Sequence, residues 1–189
     1  MSASSPPHMP SIGTRLSSIR QSQGYSQRKV AELAGLTHSA VSSVEQDKVS
    51  PSISTLHKIL AVYHISLADF FAEDEDKRPA SIIIEAEDLV QWESQGVALQ
   101  LLRSQEGAKS LGMMIETYAP GSSTGEQLTH EGEEVGTVLE GSIEILYDGQ
   151  TYLLSPGQSY AINTNIPHTF RNPGHVPCKL ISANTPLTL

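Results

Sequence analysis

A chain of 189 residues has room for one ordinary domain and a small second one. Its hydrophobic share of 38% is ordinary for a folded protein, it holds no apolar run long enough to span a bilayer, and its one cysteine, Cys178, excludes an internal disulfide. The net charge of −9 argues against a nucleic-acid partner only until the chain is divided.

Residues 11–71 carry six Lys and Arg against four Asp and Glu, a balance of +2; residues 79–189 carry four against thirteen, a balance of −9. A mildly basic half suits a phosphate backbone. A strongly acidic half attracts a cationic ligand and repels DNA. The opening MSASSPPHMP lacks an apolar h-region, so 1–10 reads as a disordered tail and not a secretory signal, and a cytoplasmic location is expected.

Helical periodicity governs 11–72. Ile12, Leu16 and Ile19 form one stripe, Val30, Leu33 and Ala34 a second, and Ile53, Leu56, Leu60 and Tyr63 a third, with Leu67, Phe70 and Phe71 closing the series. Ser26, Thr37, Ser52 and Ser66 stand at N-cap positions, and Gly24 and Gly35 where helices should end. Five short helices on one core are predicted. The charged stretch EDEDKRPAS, 73–81, reads as a linker.

From 82 to 189 the pattern becomes short runs of strand character: SIIIEA, VALQLL, LGMMIETY, EVGTVLE, SIEILY, TYLL, SYAIN, HTFRN and CKLISA. Turn residues separate them, and Asp148-Gly149 marks a tight hairpin. VPCKLISA buries Cys178 as a small hydrophobe. The fold class is therefore α+β multidomain, an all-α N-terminal domain followed by an all-β barrel or jelly roll.

In SQRKVAELAGLTHSAVSSVEQ, 26–46, two helices flank a tight turn at Gly35. On the second, Val41 and Val44 face one way. Ser39, Ser42, Ser43 and Gln46 face the other, with His38 at the N-terminal end. Short hydroxyls let a helix sit deep in the major groove, where Ser, Gln and His read base edges. Ser26, Gln27 and Arg28 at one helix start, Thr37 at the next, and Lys48 beyond it are candidate backbone contacts. This half resembles the lambda-repressor-like (XRE) helix-turn-helix family, including its link into helix four, here EQDKVSPS. The resemblance implies a dimer on a palindromic double-stranded operator, with half-sites about one helical turn apart.

The second half resembles the cupin fold. Its first motif is met by His130, Glu134 and Gly141, and its second by Gly157, His168 and Asn172, with Asn163 and Asn165 where Pro and Gly would stand. In cupins two histidines of the first motif, the Glu and the later His bind a metal. Here His130, Glu134 and His168 remain, and Leu128 replaces the first histidine. Three such ligands can hold Zn²⁺ or Fe²⁺ with open positions. Against that, Glu131, Glu133 and Glu134 crowd one strand entry, and Glu116 shares a strand face with Met114 and Tyr118. Carboxylates beside an aromatic ring cradle an ammonium group. The favoured expectation is a cofactor-free pocket of Glu116, Tyr118, His130, Glu133, Glu134 and His168 for an organic cation; the divalent metal is the alternative.

RLSSIRQSQGYSQRKVAELAGLTHSAVSSVEQDKVSPSISTL, ETYAPGSSTGE, HEGEEVGTVLEG, GQSYAINTNIPH and ISANTP are similar to the XRE–cupin repressors, and among them to those of putrescine utilisation. The resemblance implies a homodimer, or a tetramer built from it, that represses polyamine catabolism genes and leaves its operator when a diamine binds. Alternatives are a regulator sensing another metabolite, a metal-dependent cupin enzyme with a DNA-binding appendage, and a phage-type repressor or antitoxin whose second half only dimerises.

Overall fold

The computed structural model describes residues 11–71, 82–102 and 110–186. The expected tail 1–10 and the expected linker 73–81 lie outside them. The chain divides into two units between Ser50 and Pro51.

The first unit holds α1 (Ile12–Ser22), α2 (Gln27–Ala34) and α3 (His38–Glu45). Each starts on a hydroxyl: Ser11, Ser26 and Thr37 accept from the backbone N–H groups of Thr14, Lys29 and Ala40. α2 ends at Gly35, whose φ of 63° is left-handed and favours glycine, and the turn into α3 follows. Leu16, Val30, Ala31, Ala34, Val41 and Val44 are buried. Leu33, expected in the α2 stripe, is 51% exposed: it falls outside the arc that Val30, Ala31 and Ala34 turn inward.

An ionic anchor, absent from the sequence expectation, ties the three helices. Arg20 on α1 makes a two-pronged contact to buried Glu45 on α3, at 2.7 and 3.0 Å. Gln27 at the start of α2 donates to the same carboxylate at 2.9 Å.

The second unit begins with α4 (Ile53–Tyr63) and α5 (Leu67–Phe71). Their caps are the expected Ser52 and Ser66. The start of α4 is also bonded to the strand region. Ser54 N–H donates to Thr124 O at 3.2 Å, and the Ser94 hydroxyl donates to Pro51 O at 2.7 Å. A Cβ on Gly125 would lie 2.8 Å from the hydroxyls of Ser52 and Ser54, so the loop can approach α4 this closely only as glycine. Lys58 pairs with Glu126 at 2.7 Å, and Phe71 packs on Trp92 with centroids 6.1 Å apart.

Among the described residues nine strands follow: β1 (Val90–Ser94), β2 (Val97–Leu102), β3 (Gly112–Tyr118), β4 (Glu133–Glu140), β5 (Ile143–Tyr147), β6 (Gln150–Leu154), β7 (Ser159–Asn163), β8 (His168–Arg171) and β9 (Cys178–Thr185). They form an antiparallel six-stranded sheet, β1-β2-β3-β9-β4-β7, and a three-stranded sheet, β6-β5-β8. Asp148 and Gly149, both at positive φ, make the two-residue hairpin between β5 and β6. SIIIEA is not a strand over its described residues: Ile82 and Ile83 are exposed, and the first strand is VQWES, which alternates inward through Trp92 and Ser94. A run of three isoleucines carries strand propensity but no period-2 pattern.

Candidate DNA interface and ligand cavity

In the first unit the polar residues of α3 sit together. His38, Ser39 and Gln46 are exposed, and Ser42 and Ser43 are half-buried at the edge of the same face. Gln46 Nε2 donates to Ser42 Oγ at 2.9 Å, which fixes the amide along the helix. Ser26 and Thr37 are each occupied as cap acceptors, and the Thr37 hydroxyl also bonds that of Ser39 at 3.1 Å. Arg28 and Lys48 are exposed. Gln27 is half-buried, with its amide on Glu45.

In the second unit the inner faces of the sheets meet over a cavity of ≈ 20 Å³. Glu116, Tyr118, Leu128, Glu134 and His168 line it, with Met114 and Phe170. Ile53 of α4 and Leu67 of α5 reach it too. No lining residue is Lys or Arg. A void of this size holds roughly one water.

Strand alternation decides which acids enter. On β4, Glu134 is buried and Glu133 is exposed, so Glu133 leaves the expected pocket set; Glu131, before the strand, is exposed as well. On β3, Glu116 and Tyr118 face inward as expected. Hydroxyls hold both acids: Tyr118 and Ser182 donate to Glu116, each at 2.7 Å, and Tyr160 donates to Glu134 at 2.6 Å. Burial pushes the Glu134 carboxyl up to about 8, and the nearby Glu116 carboxylate adds to it. Burial raises Glu116 as well, against the two hydroxyl donors. Both phenols, Tyr118 and Tyr160, are pushed well up by burial and then by these acids.

The histidines are held neutral. Burial lowers His130 to about 4, helped by His57 and His168, and burial also lowers His168. The His168 Nδ1 lies 2.9 Å from Ile166 O. A carbonyl only accepts, so Nδ1 carries the proton and Nε2 presents a lone pair. That Nε2 is buried without a hydrogen-bond partner. Asn172, the last motif residue, stays structural: its amide bonds Tyr118 O, Val176 O and Gly174 N–H.

The donor set does not fit a metal centre as arranged. His130 and His168 stack edge to face, 5.4 Å between centroids, and the apolar Leu128 lines the cavity where the missing histidine would reach. Among the described residues no three His, Cys, Asp or Glu side chains converge as ligands would. What the cavity offers is acceptors with no cation of its own.

Tyr160, Ser182, Ile53 and Leu67 were not legible as site residues. The alternation within SYAIN and CKLISA gives two possible faces, and only the strand register says which one meets the acids.

A helix-turn-helix family profile matches residues 16–70, and a cupin domain profile matches 114–184. The chain is 54% identical over 176 residues to the HTH-type transcriptional regulator PuuR of Escherichia coli (strain K12), covering 93% of this chain and 95% of the relative. It is 21% identical over 165 residues to the HTH-type transcriptional regulator SutR of the same strain, covering 86% and 88%. The crystal structure of an HTH_3 family transcriptional regulator from Vibrio cholerae shares the fold, with a TM-score of 0.68 at 22% identity over 92% of this chain and 94% of that one.

Proposed function

The chain belongs to the HTH-type transcriptional regulators that join a helix-turn-helix to a cupin domain, DNA-binding proteins and not enzymes, and from that premise we propose that it represses genes of putrescine and polyamine catabolism and is released from its operator by a diamine. It binds a palindromic site as a homodimer, in the cytoplasm. No helix among the described residues is long and apolar enough to cross a membrane.

The observation that carries the ligand reading is the pair of buried acids without a cation. Glu116 and Glu134 share one cavity, and none of its lining residues is Lys or Arg. Uncompensated buried carboxylates are costly and stay protonated. A ligand that brings its own ammonium groups converts that cost into charge-assisted hydrogen bonds. The two acids also sit apart. Glu134 pairs with Asn184, four residues along β9 from Leu180, the partner of Glu116, and β9 runs between their strands. Ladder dimensions separate the two Cα atoms by roughly 16 Å. From these separate backbone positions the two side chains converge on one cavity, close enough for the Glu116 carboxylate to raise Glu134.

The cavity is smaller than a four-carbon diamine, so entry must displace part of its lining. Ile53 and Leu67 belong to helices, and only residues 46–52 separate α4 from the DNA-facing α3. Ligand entry therefore acts on α4 and α5 directly. Linkage requires that a ligand preferring the displaced state weaken operator binding by the same factor. A tenfold effect needs a difference of about 1.4 kcal/mol.

The test is calorimetry of putrescine into chelator-treated protein, followed by operator titration with and without it. Saturable binding that weakens the operator complex supports the reading. Binding that leaves the operator dissociation constant unchanged sinks the release mechanism. Trp92, the only tryptophan, packs on Phe71 of α5, so its emission should shift on binding.

A further inference from the structure

We propose that Asn184 is a ligand-contacting residue of the cupin site, its amide oxygen accepting an N–H from the ammonium group that Glu134 holds. The inference rests on the cationic-ligand reading above and goes beyond it by naming a third acceptor.

Burial alternates along β9, with Cys178, Leu180, Ser182 and Asn184 facing inward. The hydroxyl of Ser182 bonds Glu116, so this face is the one that carries the acids. Asn184 lies directly across from Glu134 in the β4–β9 register. Side chains so paired have Cβ atoms about 4.5–5.5 Å apart. On the other flank the partner of Asn184 is Gly112, which has no side chain to fill the row.

The amide is 2% exposed, and both its Oδ1 and its Nδ2 are buried without a hydrogen-bond partner. Asn172, the other fully buried asparagine, has both ends of its amide satisfied by the fold. Thr164, whose chain segment pairs with Gly132 two residues before Glu134, has a buried hydroxyl without a partner as well. An unpaired amide thus lies directly across from Glu134, and an unpaired hydroxyl lies on the segment bonded to Gly132. Leaving an amide unsatisfied in the interior works against folding. A primary ammonium has three N–H donors, more than one carboxylate takes up, and an amide oxygen beside that carboxylate is a fitting second acceptor.

The test uses the full chain, with putrescine as the probe and spermidine as a second amine, and compares wild type with Asn184→Leu. Leucine is close in volume and removes both unpaired atoms. We expect putrescine affinity to fall at least tenfold while the unliganded melting temperature is unchanged or raised. Asn184→Ala serves the same reading should leucine not be accommodated. Wild-type affinity in a folded variant overturns the role of Asn184 and leaves the cationic pocket standing. A lowered melting temperature with unchanged affinity assigns Asn184 to structure and also overturns it. A wild-type protein that binds neither amine overturns the pocket reading and this inference together.

Discussion

The Tyr160 hydroxyl on the edge strand β7 donates to Glu134 Oε1 on β4 over 2.6 Å. That bond is the one hydrogen bond recorded for this carboxyl in the described residues, and it does not offset burial, which holds Glu134 near 8.

Stability should therefore depend on pH with a definite sign. In the unfolded chain Glu134 ionises above about 4.5, while in the fold it stays protonated to about 8. The unfolded state then binds fewer protons, and stability falls as pH rises through that window. His130 works at the other end: it ionises near 6.5 unfolded and about 4 folded, so its effect appears as pH falls from 6.5 to 4. Between pH 6.5 and 8 the Glu134 effect stands without it, at up to about 1.4 kcal/mol per pH unit. Denaturant titrations followed through Trp92 should show this slope in wild type and a flatter one in Glu134→Gln.

Ligand binding should carry the opposite sign. A diamine needs the carboxylate, so its affinity should rise from pH 6.5 towards 8 and its binding should release a proton. Calorimetry in buffers of different ionisation heat reads that proton directly. Binding with no proton exchange would mean that Glu134 does not meet the ammonium.

Metal should be dispensable. Putrescine binding should be unchanged by chelator treatment and by adding Zn²⁺ or Fe²⁺. Recovery of binding only on adding metal would return His130, Glu134 and His168 to the role of ligands.

On the DNA side, two substitutions should behave differently. Lys48→Ala should weaken all sequences alike and reduce the salt slope by about 1. Gln46→Ala should cost about 1–3 kcal/mol on the operator and relax the preference at one base pair. Binding assays on operator and scrambled duplexes over a salt series separate the two.

Glu45 should matter more than any exposed charge of the first unit. It receives Arg20 and Gln27 while buried. Glu45→Ala removes the buried carboxylate that both of them bond and should destabilise the unit by about 3 kcal/mol. Circular dichroism should show loss of helix at lower denaturant, and operator affinity should fall with it.

The sequence by itself determined what local chemistry can set. Hydroxyl caps, helical period and the Gly35 turn placed α1 to α4, and Asp148-Gly149 placed the β5–β6 hairpin, because each rests on residues a few positions apart. The resemblance carried by His130, Glu134 and His168 pointed to a cupin pocket, and the charge split pointed to two partners of opposite sign. Tertiary structure decided the rest. It turned Glu134 in and Glu133 out, a choice set by strand register and not by composition. It brought Tyr160 to Glu134 across 26 positions and Ser182 to Glu116 across 66. It put Ile53 and Leu67, read as plain helix core, against the ligand cavity. Contacts between distant segments depend on pairing and packing that no local pattern encodes, and the site is made almost wholly of such contacts.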